Sequence, residues 1–465
     1  MIGPLWDAPP PLVQAAPQPS ALSARQVEAP FDKFLKVRIF ELLTASGPQT
    51  VRIVNGPGHD CAAVAAIVLD PQSQPYMVMK TGDARVCRVM RGDSYLKLGC
   101  VAGRLDKEGA SAAKIGLAEL TEEVGGEVVA NSFRPLGEWL SPTMPGESSE
   151  ADADFFSLIR LNSSAQGDGG GMEVAGLIGP VFLSFQEGFA AMESGTVGDA
   201  GRAMALYRRC ADSIGYVPEL AGWVYDHPGL MERYHTLGLG QPVDPRPGAL
   251  SARVPDDFVP HGAAAEIEGA AWISRQDVAL PEGFMVDGQT VHTAHGKAVG
   301  AAFANQLLIL EYDRAKVVDY FEDEKRGPLV RFAASPRPAM AVKGLLLRGE
   351  QRRGGKENLE LFRLDVEDVK IRRDRPLEEQ LAGPLHELGQ PCGASSGQSD
   401  LYYHFCARRH SVAGADWIPL GQALELCRTG QGDGQTEAAL IRLARQLKWL
   451  PNLGMNVEQA RALLK

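Results

Sequence analysis

Three glutamates, Glu119, Glu122 and Glu123, lie close together in a short stretch that follows a glycine-containing loop. If the stretch is helical, residues three and four apart share one face, so the three carboxylates crowd together. Such a like-charge cluster is unfavourable unless a cation neutralises it. Carboxylate oxygens are ligands that Mg²⁺ prefers, and Mg²⁺ commonly brings substrate phosphates with it. The spacing predicts a divalent-cation site, with a solvated acidic helix face as the alternative.

The element that must position these glutamates is an amphipathic helix. Leu117, Leu120 and Val124 recur at helical spacing and predict an apolar face opposite to the acids. Gly103 and Gly109 lie in the loop ahead of this helix. The sequence therefore predicts a loop followed by a helix that buries one side and presents carboxylates on the other.

The whole stretch from residue 101 to 126, VAGRLDKEGASAAKIGLAELTEEVGG, resembles the Nudix box. That family pattern is a glycine, five residues, a glutamate, seven residues and then R-E-U-x-E-E-x-G-U, where U is apolar. Residues 119–125 fit its helical half, and Ala102 and Gly103 fit the start of its loop. Ala118 stands where the family has its arginine, Ala110 stands where it has its first glutamate, and the loop is one residue longer. Because those two family residues pair with each other, losing both leaves no orphan charge.

The resemblance is to the branch of ADP-ribose and nucleotide-sugar pyrophosphatases. It implies an α/β (α+β) fold, an α/β/α sandwich around a mixed β-sheet. It also implies Mg²⁺, with Mn²⁺ as the alternative, bound by Glu119, Glu122, Glu123 and the carbonyl group of Ala102. The implied reaction is hydrolysis of a nucleoside diphosphate-linked compound, ADP-ribose or a nucleotide sugar, to a nucleoside monophosphate and a sugar phosphate.

The same resemblance implies further site residues in two other segments. The loop SPTMPGESSEAD at residues 141–152 occupies the position of the family loop that carries a catalytic acid. Glu150 matches that acid best and Glu147 is its substitute, so Glu150 or Glu123 would orient or deprotonate the attacking water. The residues implied in substrate binding are Arg91, Gly103, Pro145 and Gly146.

Composition excludes several other classes of protein. The net charge is −11, with 58 acidic against 47 basic residues, and the basic runs are short, which argues against nucleic-acid binding. The sequence contains no run of eighteen apolar residues, so no membrane-spanning helix is predicted. The seven cysteines are an odd number without a C-x-x-C pair, and no secretory signal is recognisable at the N-terminus. We therefore expect free thiols and a cytoplasmic protein.

An internal repeat predicts a tandem duplication of this domain. Three segments echo earlier ones in the same order: residues 327–347 echo 47–69, residues 393–407 echo 145–158, and residues 422–454 echo 187–222. This register pairs Val342 with Val64 and leaves residues 360–371 in place of the box, retaining Glu367 and Asp368 without the triad. We predict a flexible leader at 1–30, a Nudix hydrolase domain at 31–222, a connector at 223–298 and a degenerate copy without a metal site at 299–465.

The second copy suggests a partner role and the altered box leaves competing functions open. A fused copy would be a permanent partner of the first, held at high effective concentration as a pseudo-dimer, with a higher oligomer as a further state. Besides the hydrolase, one alternative is a Nudix domain that senses ADP-ribose or a nucleotide sugar without cleaving it. A third is a scaffold with a relict box, which the three crowded carboxylates argue against.

Overall fold

The computed structural model describes residues 21–32, 36–44, 47–54, 60–69, 74–84, 96–105, 110–125, 127–129, 132–142, 151–160, 180–223, 267–274, 291–298, 301–309, 313–336, 362–393 and 401–463. The chain begins with a three-stranded antiparallel sheet of β1 (Ala21–Asp32), β2 (Lys36–Thr44) and β3 (Gly47–Val54). Residues 21–30, expected in the flexible leader, therefore form most of β1.

The next eight strands form one mixed sheet. They are β4 (Cys61–Leu69), β5 (Pro75–Ala84), β6 (Leu96–Gly99), β7 (Val101–Arg104), β8 (Glu127–Val128), β9 (Arg134–Pro142), β10 (Ala151–Arg160) and β11 (Pro180–Ser184). The strand order is β11-β5-β4-β10-β8, with β6 beside β5, β7 beside β4 and β9 beside β10. Strand β4 runs parallel to β10 and antiparallel to β5 and β7.

Helices cover both faces of this sheet. Three helices belong to this unit: α1 (Ala112–Val124), α2 (Phe185–Glu193) and α3 (Ala200–Ile214). Every residue of β4 is buried, because both faces of the strand are covered. Alternate residues from Ala62 to Val68 pack against α1, and those from Ala63 to Leu69 pack against α2 and α3. A strand buried on both faces has a continuous apolar sequence, as CAAVAAIVL does. The predicted mixed sheet within an α/β/α sandwich is confirmed for this unit.

A short segment and a second three-stranded sheet follow. Strands β12 (Tyr216–Val217) and β13 (Gly222–Trp223) pair across a single 3₁₀ turn. Strands β14 (Ile267–Ser274), β15 (Val291–Ala298) and β16 (Ala301–Ile309) then form an antiparallel sheet. Two of these three strands, β14 and β15, lie inside the segment predicted as a connector.

A second mixed sheet repeats the topology of the first. Its segment contains β17 (Asp313–Asp323), β18 (Gly327–Arg331), β19 (Ala333–Pro336), β20 (Phe362–Asp365), β21 (Glu367–Ile371), β22 (His386–Glu387), β23 (Cys392–Gly393), β24 (Tyr402–Arg409) and β25 (Trp417–Pro419). Its order is β25-β18-β17-β24-β22, with β21 beside β17 and β23 beside β24, while β19 and β20 pair separately. Strand β17 is parallel to β24, as β4 is to β10.

The register predicted for the first of the three repeated segments, 327–347 against 47–69, is wrong. By strand order and direction, β17 is the counterpart of β4, so Val317 and its neighbours take the place that the sequence comparison gave to Val342. Strand β21 takes the place of β7, and the next element is the four-residue helix α4 (Leu377–Gln380) rather than a counterpart of α1. The counterpart of the box therefore begins with β21 and continues through residues 372–385, instead of occupying residues 360–371. Apolar strands of one fold resemble each other, and this similarity displaced the comparison by one strand.

The acids retained in this second unit are engaged in ion pairs. Asp368 contacts Lys316 at 3.0 Å and Arg314 at 2.7 Å, and Glu367 contacts Arg408 at 2.9 Å. Burial raises the pKa of Asp368, but the attraction of Lys316 and Arg314 outweighs burial, so the pKa lies below its ordinary value. These carboxylates therefore stabilise the second sheet.

The two units pack against each other through helices. The second unit contains α5 (Leu420–Leu426), a π-helical turn (Cys427–Gln431), α6 (Gly434–Gln446), β26 (Trp449–Leu450), β27 (Met455–Asn456) and α7 (Val457–Leu463). Helix α3 contacts α6, and one apolar core continues through both. The Gln435 side chain touches Gly201, and each is the second residue after its helix cap, Asp433 or Asp199. Contact between equivalent positions is the pattern of two-fold packing.

Two expectations from composition concern the described residues. None of the described helices is long and apolar enough to cross a membrane. Six cysteines fall in the described part of the chain, and all six are free and buried. Burial raises the pKa of the Cys406 thiol to about 11 from an ordinary value of 9.0. The prediction of free thiols is confirmed for these six, and Cys87 lies outside the described residues.

Candidate functional site

Helix α1 is fixed at both ends by its own sequence. The Ser111 hydroxyl accepts a hydrogen bond from the Lys114 amide at 3.2 Å, which satisfies one of the orphan donors of the first turn. Gly125 ends the helix in the left-handed conformation, with φ of 67°, and its amide donates to the Thr121 carbonyl at 3.0 Å. The helix therefore spans the segment that carries the three glutamates.

The side of α1 that faces the sheet differs from the predicted one. Leu120 and Val124 are buried against β4, as expected, together with Ile115. Leu117 is 37% exposed, so its assignment to the apolar face was wrong, and Glu123 is buried instead. The buried face of α1 is centred between Leu120 and Val124. It includes Glu123 because that carboxylate contacts polar groups of the sheet.

Glu119 lies directly against the backbone of β7. A side chain at Gly103 would collide with the Glu119 carboxylate, so the bare glycine leaves the room that this carboxylate occupies. Gly103 is itself fixed by pairing with Ala62 in the central strand β4. The glycine of the loop motif therefore has a specific steric reason, which is the approach of Glu119.

Glu123 is the most deeply buried carboxylate of the helix, at 1% exposure. Its Oε2 accepts a hydrogen bond from the Ala102 amide at 3.2 Å, and its Oε1 forms an ion pair with the ammonium group of Lys80. Lys80, 5% exposed, comes from β5. A buried charge needs both a counter-charge and hydrogen bonds, and Glu123 has them. Lys80 was not among the predicted site residues.

Glu122, Ala110 and Ala118 are the remaining positions of the box that the structure describes. Glu122 is half-buried on the same helix. Ala110 packs at the edge of the core beneath α1, and Ala118 is half-buried on the helix. Alanine at these two positions thus fills space where the family pattern has a charged pair.

Several predicted site residues lie outside the described residues: Arg91, Pro145, Gly146, Glu147 and Glu150. Their roles stay predictions. The structure therefore brings together Glu119, Glu123, Ala102 and Gly103, with Glu122 next to Glu123 in the same helical turn.

The donor atoms of this cluster are carboxylate oxygens, which are chemically suitable ligands for a divalent cation. Carboxylate oxygens are hard ligands of the type that Mg²⁺ takes. The atom of Ala102 that meets Glu123 is its amide nitrogen, not the carbonyl group that the resemblance implies as a ligand. Across the described ranges, no three His, Cys, Asp or Glu side chains converge closely enough to hold a metal ion. Glu119, Glu122 and Glu123 can supply oxygen donors, and the Lys80 ammonium lies on one of them.

No protein-family model matches the chain, and no curated protein sequence matches it. A solved structure described as the crystal structure of an ADP compounds hydrolase matches with 18% sequence identity and a TM-score of 0.31. The match covers 43% of this chain and 97% of that chain.

Proposed function

We propose that this chain hydrolyses the diphosphate bond of a nucleoside diphosphate-linked compound, ADP-ribose or a nucleotide sugar. The products would be a nucleoside monophosphate and a sugar phosphate. One observation carries the proposal: Glu119 and Glu123 of α1 both turn onto the backbone of β7, at Gly103 and Ala102. Two carboxylates held against one strand by a capped helix form a preorganised set of oxygen donors.

A divalent cation, Mg²⁺ or alternatively Mn²⁺, would be held by Glu119, Glu122 and Glu123, with the Ala102 carbonyl group as a further ligand. When bound, such an ion neutralises diphosphate charge and lowers the pKa of water. Among the chain's own residues, we propose Glu123, Glu150 or Glu147 as the proton acceptor. Arginine binds phosphate through a fork of donors, which is the role we propose for Arg91. Gly103, Pro145 and Gly146 would contact the substrate.

A second candidate function is binding without hydrolysis, as in a sensor of ADP-ribose or a nucleotide sugar. The Lys80–Glu123 ion pair favours it, because the chain already supplies a cation for the most buried carboxylate. The alanines at positions 110 and 118 favour it as well, because they replace a charged pair of the family pattern.

We also propose that the second unit is a permanent internal partner of the first. Support comes from the α3–α6 contact and from the ion pair of Arg209 with Glu437, which joins the units. We propose a cytoplasmic location, since free buried cysteines suit a reducing compartment. Neither nucleic acid nor a membrane is among the proposed partners.

The function is tested by incubating the full chain with ADP-ribose, UDP-glucose or GDP-mannose, with Mg²⁺ or with excess EDTA. We expect one of the three to be converted to a nucleoside monophosphate and a sugar phosphate in Mg²⁺ only, measured by anion-exchange chromatography. Binding of one compound without conversion of any would favour the sensor.

Replacing Gly103 with alanine is expected to impair this activity in a chain that still folds. The new methyl group would take the space of the Glu119 carboxylate, and the flexible glutamate would rotate away. Misplacing a catalytic group by about 1 Å can cost about 10²-fold in rate, whereas an added methyl group costs about 1–3 kcal/mol of stability. We expect kcat/KM to fall at least about tenfold in the converted substrate. Gly222→Ala, whose new Cβ would have its nearest neighbour 3.9 Å away, is the matched control and should leave both quantities unchanged.

A further inference from the structure

Lys80 reaches the glutamate helix because of the alternation of strand β5. Met77 and Met79 point to the α3 side of the sheet, whereas Val78 packs on the α1 side. Lys80 follows Met79 and therefore points to the α1 side as well. Its side chain is 7% exposed and that of Glu123 is 2% exposed, so water screens this ion pair very little.

The two carboxylate oxygens of Glu123 both have donors from the chain itself. Oε1 has the Lys80 ammonium and Oε2 has the Ala102 amide. The most buried acid of the candidate site is therefore charge-balanced in the folded chain without any added ion. A divalent ion that takes Glu123 as a ligand would compete with the ammonium for the same oxygen. It would also be repelled by Lys80, because like charges a few ångströms apart interact strongly in a poorly hydrated site.

We propose that Lys80 is a built-in counter-cation that occupies Glu123 and competes with the divalent ion at this site. It sets the concentration at which Mg²⁺ or Mn²⁺ binds. This inference rests on the cation site of the proposed function, and it adds a residue of β5 to a site otherwise made by β7 and α1. A bound ion requires the Lys80 side chain to leave Glu123, so binding couples to movement of this one side chain.

The alternative is that the ion pair is purely structural and Glu123 never contacts a metal. The two differ in what happens when the charge of Lys80 is removed. Under competition, the vacated carboxylate becomes a better ligand and recruits the ion. Under a structural role, removing the charge only destabilises the chain.

The test measures Mn²⁺ binding to the full chain by electron paramagnetic resonance of the free ion. We expect Lys80→Gln to bind Mn²⁺ at least about tenfold more tightly than the wild type, a change of about 1.4 kcal/mol. Lys80→Arg keeps the charge and should bind no more tightly than the wild type. Lys97→Gln is the control, because it removes a lysine charge from the neighbouring strand β6. The Lys97 ammonium donates to the Gly195 carbonyl, so this variant should leave Mn²⁺ affinity unchanged.

Thermal unfolding gives a second readout that does not depend on activity. Without metal, Lys80→Gln should unfold at a lower temperature than the wild type, because Glu123 loses its counter-charge. Added Mn²⁺ should raise the unfolding midpoint of Lys80→Gln more than that of the wild type. Combining Lys80→Gln with Glu123→Gln in one double variant should abolish this extra rise. If Lys80→Gln is unfolded without metal, Mn²⁺ must restore the folded circular dichroism spectrum.

Equal Mn²⁺ affinity in the wild type and Lys80→Gln would overturn the proposal, as would a variant that stays unfolded at every Mn²⁺ concentration. The outcome is separable from that of the proposed function. Tighter Mn²⁺ binding by Lys80→Gln without cleavage of any nucleotide sugar would remove the hydrolase and retain this inference. Cleavage by the wild type with unchanged Mn²⁺ affinity in Lys80→Gln would do the reverse.

Discussion

Replacing Glu437 with glutamine is expected to destabilise the whole chain by about 3–5 kcal/mol, the usual cost of removing one partner from a buried ion pair. Glu437 of α6 is fully buried, at 0% exposure, and accepts hydrogen bonds from Arg209 Nε of α3 at 3.2 and 3.1 Å. Arg428 Nε lies 3.5 Å from the same carboxylate. Glutamine keeps the shape of glutamate, so the loss would report charge rather than a cavity.

This expectation is specific to the contact between the two units. Arg209 also donates to Asp154 of β10 at 2.8 Å, so that carboxylate remains to offset part of the guanidinium charge. Burial raises the pKa of Asp154 and attraction by Arg209 opposes the rise, with a pKa above the ordinary value as the net result. Arg209 meets Asp154 through Nη1 alone but meets Glu437 through both Nε and Nη2, so Glu437 carries the larger share of the ion pairing.

The measurement is guanidinium-induced unfolding followed by circular dichroism and tryptophan fluorescence together. Glu322→Gln is the matched control, because Glu322 and Arg409 form an ion pair at 3.1 Å with side chains 46% and 65% exposed. Exposed pairs contribute about 0–1 kcal/mol, so the control should unfold close to the wild type. If Glu437→Gln and this control unfold at the same guanidinium concentration, the Arg209–Glu437 ion pair does not hold the two units together.

Glu123→Gln is expected to lower kcat/KM for the cleaved substrate at least about 10²-fold, the lower range for loss of a group that moves a proton. Glutamine removes the negative charge that we propose as both oxygen donor and proton acceptor. The loss should therefore appear in kcat and in metal affinity together.

The three glutamates should differ in rank. Glu119→Gln should follow Glu123→Gln closely, because Glu119 is held against Gly103 of β7. Glu122→Gln should cost less, about tenfold, since Glu119 and Glu123 are the glutamates that meet the backbone of β7 and Glu122 assists them. Glu425→Gln, a 41% exposed acid of the second unit, is the control and should retain wild-type rates. Equal rates for Glu123→Gln and this control would exclude Glu123 from the chemistry.

The sequence predicts local features of this protein well, because they depend on neighbouring residues. The apolar run of β4 predicts a strand buried on both faces, and Gly125 marks the end of the glutamate helix in the structure. The mixed sheet with helices on both faces is likewise confirmed in the first unit.

Long-range partners are what the sequence does not reveal. Lys80 and Glu123 are 43 positions apart, and only the pairing of β5 with β4 and of β4 with β7 brings them together. A signal was present, because a single lysine ends the apolar run YMVMK and the alternation of a strand gives it a definite face. The register of the first repeated segment failed for a related reason: apolar strands look alike, and only pairing distinguishes β17 from its neighbours.

The central claim is that the glutamate helix beside β7 is a cation-dependent site that cleaves a diphosphate. ³¹P nuclear magnetic resonance tests it most directly, because one spectrum reports both binding and cleavage. With the wild-type chain and Mg²⁺, the two diphosphate signals of ADP-ribose, UDP-glucose or GDP-mannose should be replaced by two phosphate monoester signals, and Glu123→Gln should preserve the diphosphate. Diphosphate signals that broaden or shift on binding while no monoester forms with any of the three compounds would contradict the claim.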